Sequence, residues 1–228
     1  MLTLSQDQNL NCTISYVLER LSSFDVAQFL PSFDNLPRDP YLDGNYRFRR
    51  FSHFKISNHH LVQLPHIAFL QSKTYNPLLG DVTREYLELD DALIHLPAFQ
   101  TLVLEFFEFC QRCSTFDEVG VHQIRITANE NAGNPAPEGI HRDGVDLIGI
   151  ACIHREHIDG GETHLYPSKH HTPDQKPAFT KILEPGELLV VDDRQFFHFT
   201  TPVKAQSPQG GFRDVFVFTC PGLPHNQR

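Results

Sequence analysis

The 228-residue sequence contains no tryptophan, one methionine and five cysteines. No apolar run approaches the ~18 residues of a membrane-spanning helix, so we expect no such helix. The first residues lack a basic stretch followed by an apolar one, so we expect no secretory signal peptide. Five scattered cysteines do not suit a disulfide scaffold, and we expect reduced thiols and a cytoplasmic location. Cys110 and Cys113 form a CxxC inside a helix-like segment without a second pair, which favours a structural role.

Basic residues are also scarce. Lys and Arg total 19 against 28 Asp and Glu, which gives a formal net charge of −9. Proteins that bind nucleic acids or anionic membranes need a basic surface, so we expect neither partner. Phenylalanine occurs 19 times and hydrophobic residues make up 40% of the chain, so the core should be rich in phenylalanine. The length suits one domain, and we expect residues 1–228 to form it.

The first part of the chain, residues 1–115, mixes helix and strand patterns. Residues 13–30 have the spacing of one or two short amphipathic helices. Residues 46–56 alternate aromatic with basic or polar side chains, which indicates a strand with one wet face. Residues 96–113 carry a broad apolar stripe at helical spacing, and Pro97 suits the first turn of a helix there.

After Thr115 the apolar residues alternate with a period of two, which predicts short strands separated by Gly-containing turns. The predicted strands are 119–128, 145–158, 162–166, 179–183, 188–191, 196–200 and 212–219. This pattern predicts a mainly β (α+β) protein with a sandwich or barrel core in residues 116–228, for which a double-stranded β-helix, or jelly roll, is a natural closure. We expect residues 1–115 to pack on that core as an N-terminal helical layer.

Two H-x-D triplets occur among the 14 histidines, and their contexts differ. His157 and Asp159 run directly into two glycines, so Asp159 suits a hairpin turn. His141 and Asp143 end a Pro/Gly-rich loop and precede a long apolar strand. In an extended segment such a pair points to one side, about 7 Å apart, so both side chains reach one ion.

A third ligand must come from a distant strand, and His198 on the strand 196–200 is the best candidate. Two histidines and one carboxylate leave open positions on an octahedral ion, which points to a non-haem iron(II) site. A structural zinc site would need four protein ligands, usually including cysteine, and no cysteines have that spacing.

Arg213 lies on the strand 212–219, where it shares a face with Val215 and Val217. An arginine among apolar neighbours is costly unless it is paired. Asp214 adjoins it but points to the opposite face. A ligand carboxylate that accepts two hydrogen bonds is therefore a sensible partner for the guanidinium.

The pattern His141-x-Asp143, His198 and Arg213 on a run of short strands resembles the iron(II)/2-oxoglutarate-dependent dioxygenases. This resemblance implies a jelly-roll core and Fe(II) bound by His141, Asp143 and His198, which would be the catalytic centre. It also implies O2 and 2-oxoglutarate as co-substrates, with ascorbate as a reductant in assays. Arg213 would then bind the distal carboxylate of 2-oxoglutarate.

Such enzymes convert 2-oxoglutarate to succinate and CO2 while they hydroxylate an unactivated C–H bond of the substrate. A hydroxyl such as that of Thr200 or Thr219 would assist Arg213. Further motifs are similar to a bacterial group that includes hydroxylases of free L-amino acids such as isoleucine, so a free aliphatic L-amino acid is the expected substrate. These motifs are Tyr46-Arg47-Phe48-Arg49-Arg50-Phe51, Gln123-Ile124-Arg125-Ile126, Gly160-Gly161-Glu162-Thr163 and Asp192-Asp193-Arg194.

Three polar residues are candidates for substrate binding. Gln123 and Arg125 share one face of a strand, where they would either line the cavity and hold a substrate carboxylate or face water. Asp193 would either receive a substrate ammonium group or form a charged turn. A solvated strand face is the favoured interpretation of Arg47, Arg49 and Arg50.

Two alternative functions remain open. A cupin-like metal enzyme would keep the jelly roll and act on its substrate without 2-oxoglutarate. A non-catalytic ligand-binding module would keep the fold around a vestigial site. In each case an acidic chain with a few placed arginines fits a small-molecule partner better than a nucleic acid.

Overall fold

The computed structural model describes residues 15–21, 25–170 and 176–227. Its helical segments are a 3-10 turn at Val26–Phe29, α1 (Leu30–Phe33), α2 (Asp91–Ile94), α3 (Pro97–Cys113) and a 3-10 turn at His225–Gln227. Its strands are β1 (Tyr16–Arg20), β2 (Arg47–Ser57), β3 (His60–Gln63), β4 (Glu118–Ala128), β5 (Leu147–Glu156), β6 (Ile158–Gly160), β7 (Glu162–Tyr166), β8 (Phe179–Ile182), β9 (Glu187–Asp192), β10 (Phe197–Thr200), β11 (Val203–Ala205) and β12 (Gly211–Cys220).

The strands form antiparallel sheets, which agrees with the predicted mainly β class. The major sheet has seven strands in the order β1-β9-β5-β12-β4-β2-β3, and the minor sheet has three in the order β10-β7-β8. Strands β6 and β11 form a separate pair. Strand β12 lies at the centre of the major sheet, between β4 and β5.

The two faces of β12 carry different environments because successive side chains point to opposite sides of a sheet. Phe216 and Phe218 point towards helix α3 and are fully buried. Arg213, Val215 and Val217 point the other way, into a cavity that also contacts β10 of the minor sheet. One strand therefore contributes to the hydrophobic core and to the cavity wall.

Helix α3 forms where the sequence predicts it, with Pro97 in its first turn. Its apolar stripe is buried against the major sheet, from Phe99 to Cys110. Gly149 on β5 allows this close packing, because a Cβ atom there would lie 2.7 Å from a ring carbon of Phe106. Helix and sheet thus share one phenylalanine-rich core.

The helices predicted over residues 13–30 are wrong for residues 16–20, which form the edge strand β1 and pair with β9. Helical structure is present from Val26 onward, and residues 13, 14 and 22–24 of the prediction lie outside the described residues. The side chains of β1 are mostly exposed, so burial does not fix a helical face. The hydrogen-bonding edge of β9 determines the conformation instead, a tertiary effect that overrides local preference.

The described part of residues 1–115 is also more than a helical layer. Its strands β1, β2 and β3 extend the major sheet itself, and β2 pairs with β4 along nine residue pairs. Helix α3 is the long helical element that lies on the sheet. In the described ranges, none of the helices has both the length and the apolar character needed to cross a bilayer.

The cysteines depart from expectation at one position. Cys110, Cys152 and Cys220 are free and buried, and burial raises the pKa of Cys152 to about 11. Cys113, however, is disulfide-bonded, so the expectation of reduced thiols was wrong for this residue. Chain spacing does not indicate which sulfurs the fold brings together. Because Cys110 is free, Cys110 and Cys113 are not joined to each other.

Truncation of Phe216 should test the aromatic core. Its ring lies 5.5, 5.2 and 5.6 Å from the ring centroids of Phe29, Phe33 and Phe99. We expect Phe216→Ala to lower the free energy of unfolding by about 3–5 kcal/mol in urea titrations. The control Leu87→Ala, at a side chain that is 61% exposed, should change it by less than about 0.5 kcal/mol. Similar losses for both variants would contradict this assignment of the core.

Candidate metal and co-substrate site

Three of the predicted site residues meet at the edge of the minor sheet. His141 and His198 exchange two backbone hydrogen bonds, of 3.0 and 2.8 Å, which join the 141–143 loop to β10. Their imidazole rings lie 4.2 Å apart. One potential ligand atom from each of His141, Asp143 and His198 lies within 4.8 Å of the others, which suits a single metal ion.

The other H-x-D triplet is elsewhere. Asp159 lies in the short strand β6, where it pairs with Lys204 of β11 and accepts a hydrogen bond from Gln206, so its predicted place in a hairpin turn was wrong. Among the described residues, His157 and Asp159 belong to no cluster that could hold a metal ion. The triplet of His141 and Asp143 is the one that lies beside a third potential ligand, His198.

The histidines present suitable nitrogen atoms. Nδ1 of His141 donates a hydrogen bond to the carbonyl of Gly139 at 2.9 Å, which directs Nε2 towards Asp143. Burial lowers the pKa of His141, but Glu138 and Asp143 outweigh it and raise that pKa above its ordinary value. Burial and the neighbouring His141 lower the pKa of His198 to about 3, so its imidazole is neutral. A neutral imidazole beside a carboxylate is the donor set that divalent metals need.

Asp193 holds the ligand loop from behind. Its carboxylate accepts hydrogen bonds from the backbone N–H groups of Asp143, Gly144 and Val145, between 2.8 and 3.2 Å. Burial and the nearby Asp143 raise its pKa to about 7, against the effect of these bonds. Asp193 is fully buried and does not line the cavity, so the predicted contact with a substrate ammonium does not fit.

Gln71 contacts the ligand candidate Asp143 from the other side, and no sequence pattern indicates this role. Its Nε2 donates to Oδ1 of Asp143 at 3.1 Å, and its Oε1 accepts from Arg84 at 2.8 Å. Gln71 is buried in an irregular segment far from Asp143 in the chain. Only the tertiary structure brings them together.

Arg213 lies on the same cavity as the three ligand candidates. It is 3% exposed, and its Nε and Nη2 atoms are buried without a hydrogen-bond partner among the described residues. Burial lowers its pKa, because the charged form lacks compensation. A buried guanidinium with free donors fits the carboxylate of a bound 2-oxoglutarate.

Of the two predicted helper hydroxyls, one fits. Thr200 lines the cavity, with its Oγ1 3.4 Å from that of Thr163. Thr219 lies six residues beyond Arg213 on the same strand, about 20 Å away by strand rise. It donates to the carbonyl of Gly222, so its predicted role beside Arg213 was wrong. Thr219 and Arg213 point to the same face of β12, but they lie near opposite ends of the strand.

Gln123 and Arg125 are candidates either for the cavity wall or for a face in water, and the structure does not place them on the cavity wall. Gln123 bonds to Ser32, and Arg125 makes a bidentate pair with Asp214, with both distances 2.7 Å. The alternating face that includes Ile124 lines the cavity instead. Alternation separates the two faces of a strand but does not say which one faces a ligand.

The interpretation of β2 as a solvated strand was also wrong. Arg47 and Arg49 are buried and line the cavity, together with Arg84 and His122. Arg50 points to the opposite face, where it pairs with Asp90 at 3.2 Å. A strand that lines a charged cavity has the same alternation of basic and aromatic residues as a strand with one face in water. The sequence pattern therefore does not distinguish the two.

The whole cavity lies between the major sheet and β10. Its wall combines the metal-ligand cluster, cationic residues and an apolar strip formed by residues of β4, β5 and β12. The side chains of this strip are Ile124, Ile126, Ile150, Val215 and Val217. A concave site that combines apolar side chains with a few convergent polar groups is typical of a small-molecule site.

Comparison with known proteins agrees with this geometry. The model of the 2OG-Fe dioxygenase family matches residues 30–219, so the chain belongs to that family. It is 26% identical over 204 residues to a 3(1)-hydroxy-L-isoleucine 4-dioxygenase of Pantoea ananatis (strain AJ13355), with 86% of this chain and 80% of that protein covered.

Two further relatives extend the comparison. The chain is 26% identical over 157 residues to an L-isoleucine-4-hydroxylase of Bacillus thuringiensis, with 66% of this chain and 64% of that protein covered. The crystal structure of a bsmA homolog from Methylobium petroleophilum PM1 superposes with a TM-score of 0.73 at 31% identity, with 85% of this chain and 79% of that chain covered.

Removal of Gln71 should weaken metal binding. We expect Gln71→Ala to lower the Mn(II) affinity about 10- to 100-fold, because residues that orient a ligand usually have effects of this size. Calorimetric titration of Mn(II) without 2-oxoglutarate measures this directly. Gln63→Ala, at an exposed glutamine that bonds to Glu88, is the matched control. Unchanged affinity in Gln71→Ala would show that Asp143 needs no such support.

Proposed function

We propose that the protein hydroxylates an unactivated C–H bond of a free aliphatic L-amino acid. As a member of the 2OG-Fe dioxygenase family it uses Fe(II), 2-oxoglutarate and O2. The observation that carries the proposal is the presence, on one cavity, of the metal-ligand cluster and of a buried arginine with unpaired donors. The names of the two isoleucine-specific relatives support the substrate class.

Each residue has a distinct role in this proposal. His141, Asp143 and His198 hold the iron, which supplies the oxidative chemistry when bound with 2-oxoglutarate and O2. Arg213 binds the distal carboxylate of 2-oxoglutarate, and the Thr200 hydroxyl lies on the same wall. The apolar strip excludes water and orients the aliphatic part of the substrate.

The proposal extends to the fold, the partner and the cellular location of the protein. The major and minor sheets correspond to a double-stranded β-helix, and residues 1–228 form one domain. The partner is a small molecule rather than a nucleic acid or a membrane, and the location is the cytoplasm. The buried charge of Arg213 favours use of 2-oxoglutarate over a cupin-like reaction without it, because in the described part of the chain no carboxylate forms an ion pair with Arg213.

A turnover screen tests the substrate class. Protein with Fe(II), ascorbate and 2-oxoglutarate should convert an aliphatic L-amino acid to a product heavier by one oxygen atom, with succinate formed in equal amount. Mass spectrometry measures both products, and His198→Ala should form neither.

The other outcomes of the screen discriminate between the alternatives. Decarboxylation of 2-oxoglutarate without any amino acid product would overturn the substrate class. Substrate oxidation that does not need 2-oxoglutarate would indicate a cupin-like enzyme. Absence of all turnover would indicate a ligand-binding module.

Substitution of Arg213 tests the co-substrate site separately. Arg213→Ala should raise the apparent KM for 2-oxoglutarate about 100-fold, since it removes a charge-assisted pair. Bound iron, measured after gel filtration, should change little. The exposed Arg20→Ala is the control. Equal loss of iron and of co-substrate affinity would mean that Arg213 has a structural role.

A further inference from the structure

Three buried guanidinium groups line the cavity apart from Arg213. Arg47 and Arg49 come from β2, and Arg84 comes from the irregular segment that pairs with Phe69. Their exposed fractions are 6%, 6% and 2%. Buried arginines are rare without anionic partners. The number of carboxylates that pair with these three groups therefore determines which ligands this part of the cavity wall can bind.

Carboxylates neutralise the positive charges of these three arginines only in part. Asp39 bonds to Nη2 and Nε of Arg47 at 2.8 Å and lies 4.0 Å from Nη1 of Arg49. Within the described ranges, no other carboxylate oxygen comes within 4.0 Å of these three guanidinium groups. Three cations and one carboxylate leave two positive charges. These belong mainly to Arg49 and Arg84.

The remaining contacts of these two arginines orient them without neutralising them. The guanidinium of Arg49 lies 4.1 Å above the Tyr86 ring, and that of Arg84 lies 4.8 Å above the Phe69 ring. Arg84 also donates to the neutral amide of Gln71. The Nε atoms of Arg49 and Arg84 make no hydrogen bond to any residue that the structure describes.

His122 adds no negative charge to this group. Burial and the adjacent arginines hold its pKa well below the ordinary value, so the ring is neutral. Its Nδ1 accepts a hydrogen bond from Arg49, since a guanidinium only donates. Glu138, another carboxylate on the cavity, contacts His141 at 3.2 Å instead.

Arg49 and Arg213 project from two strands that are separated by β4. Arg49 pairs with Ile124 across β2 and β4, and Ile124 pairs with Val215 on β12, two residues from Arg213. Two strand spacings and one two-residue step separate their Cα atoms by about 12 Å. Ile124 and Ile126 of β4 line the cavity between the two strands, so Arg49 and Arg213 lie on different parts of the cavity wall.

We propose that Arg49 and Arg84 form a second carboxylate-binding site, which holds the carboxylate of the substrate. The proposal rests on the proposed function, in which 2-oxoglutarate occupies Arg213. It restricts the substrate to molecules with a free carboxylate, which excludes amides, esters and residues within a peptide. The two uncompensated charges also disfavour amino acids with a basic side chain.

Thermal unfolding of the protein saturated with Mn(II) and 2-oxoglutarate measures this site without turnover. The probes are acetate, propionate and the proteinogenic L-amino acids, each compared with its carboxamide. We expect the carboxylates to raise Tm and the carboxamides to have little effect. For an amino acid that binds, calorimetry should give an affinity at least about 30-fold higher than that of its carboxamide.

Variants identify the residues responsible. Arg49→Met combined with Arg84→Met should abolish the carboxylate-dependent rise in Tm, and the corresponding lysine variants should retain part of it because the charge remains. The control is Arg50→Met, the next residue on β2, whose side chain points to the other face. All variants should still bind 2-oxoglutarate, measured by calorimetry with Mn(II), which shows that they are folded.

The outcomes separate the two proposals. If acetate and propionate raise Tm through Arg49 and Arg84 but no amino acid does, the carboxylate site stands and the amino acid substrate is wrong. If amino acids bind equally well to the Arg49/Arg84 variants, the site is wrong and the proposed function stands. If no carboxylate raises Tm above its carboxamide, the second site does not exist.

Discussion

Two backbone hydrogen bonds between His141 and His198 determine the geometry of the metal-ligand cluster. They attach a loop to β10 and bring two imidazole rings together. Asp193 then fixes the following loop residues through three backbone N–H groups, and Gln71 holds the Asp143 carboxylate from the opposite side. The ligand atoms are thus held by groups that do not themselves belong to the cluster, which lowers the cost of organising a metal site.

The central strand β12 connects this site to the stability of the protein. Phe216 and Phe218 on one face pack with α3, and Arg213 on the other face lies in the cavity. The hydrophobic contacts on the first face compensate for burying a guanidinium on the second. Burial of several guanidinium groups is unfavourable in free energy, and hydrophobic packing elsewhere and bound anionic ligands offset it.

The cavity is cationic although the chain as a whole has a net charge of −9. Arg47, Arg49, Arg84 and Arg213 all line it, and desolvation strengthens their interaction with an anion. The carboxylates of the chain lie mostly elsewhere, so the overall acidity does not reveal the character of the site. Net charge informs about surfaces and partners, whereas the local arrangement of charges determines ligand binding.

The sequence by itself determined the strand series after Thr115, helix α3, and the choice of His141 and Asp143 over the other H-x-D pair. These follow from local periodicity and turn residues, which chain order displays directly. Only the tertiary structure decided which faces of β2 and β4 line the cavity, and so why Arg49 lies on the cavity wall while Gln123 and Arg125 do not. The tertiary structure also decided that Tyr16–Arg20 pairs as a strand and that Gln71 reaches Asp143. The physical reason is that alternation defines the two faces of a strand but not which elements pack against each face, since those elements are distant in the chain.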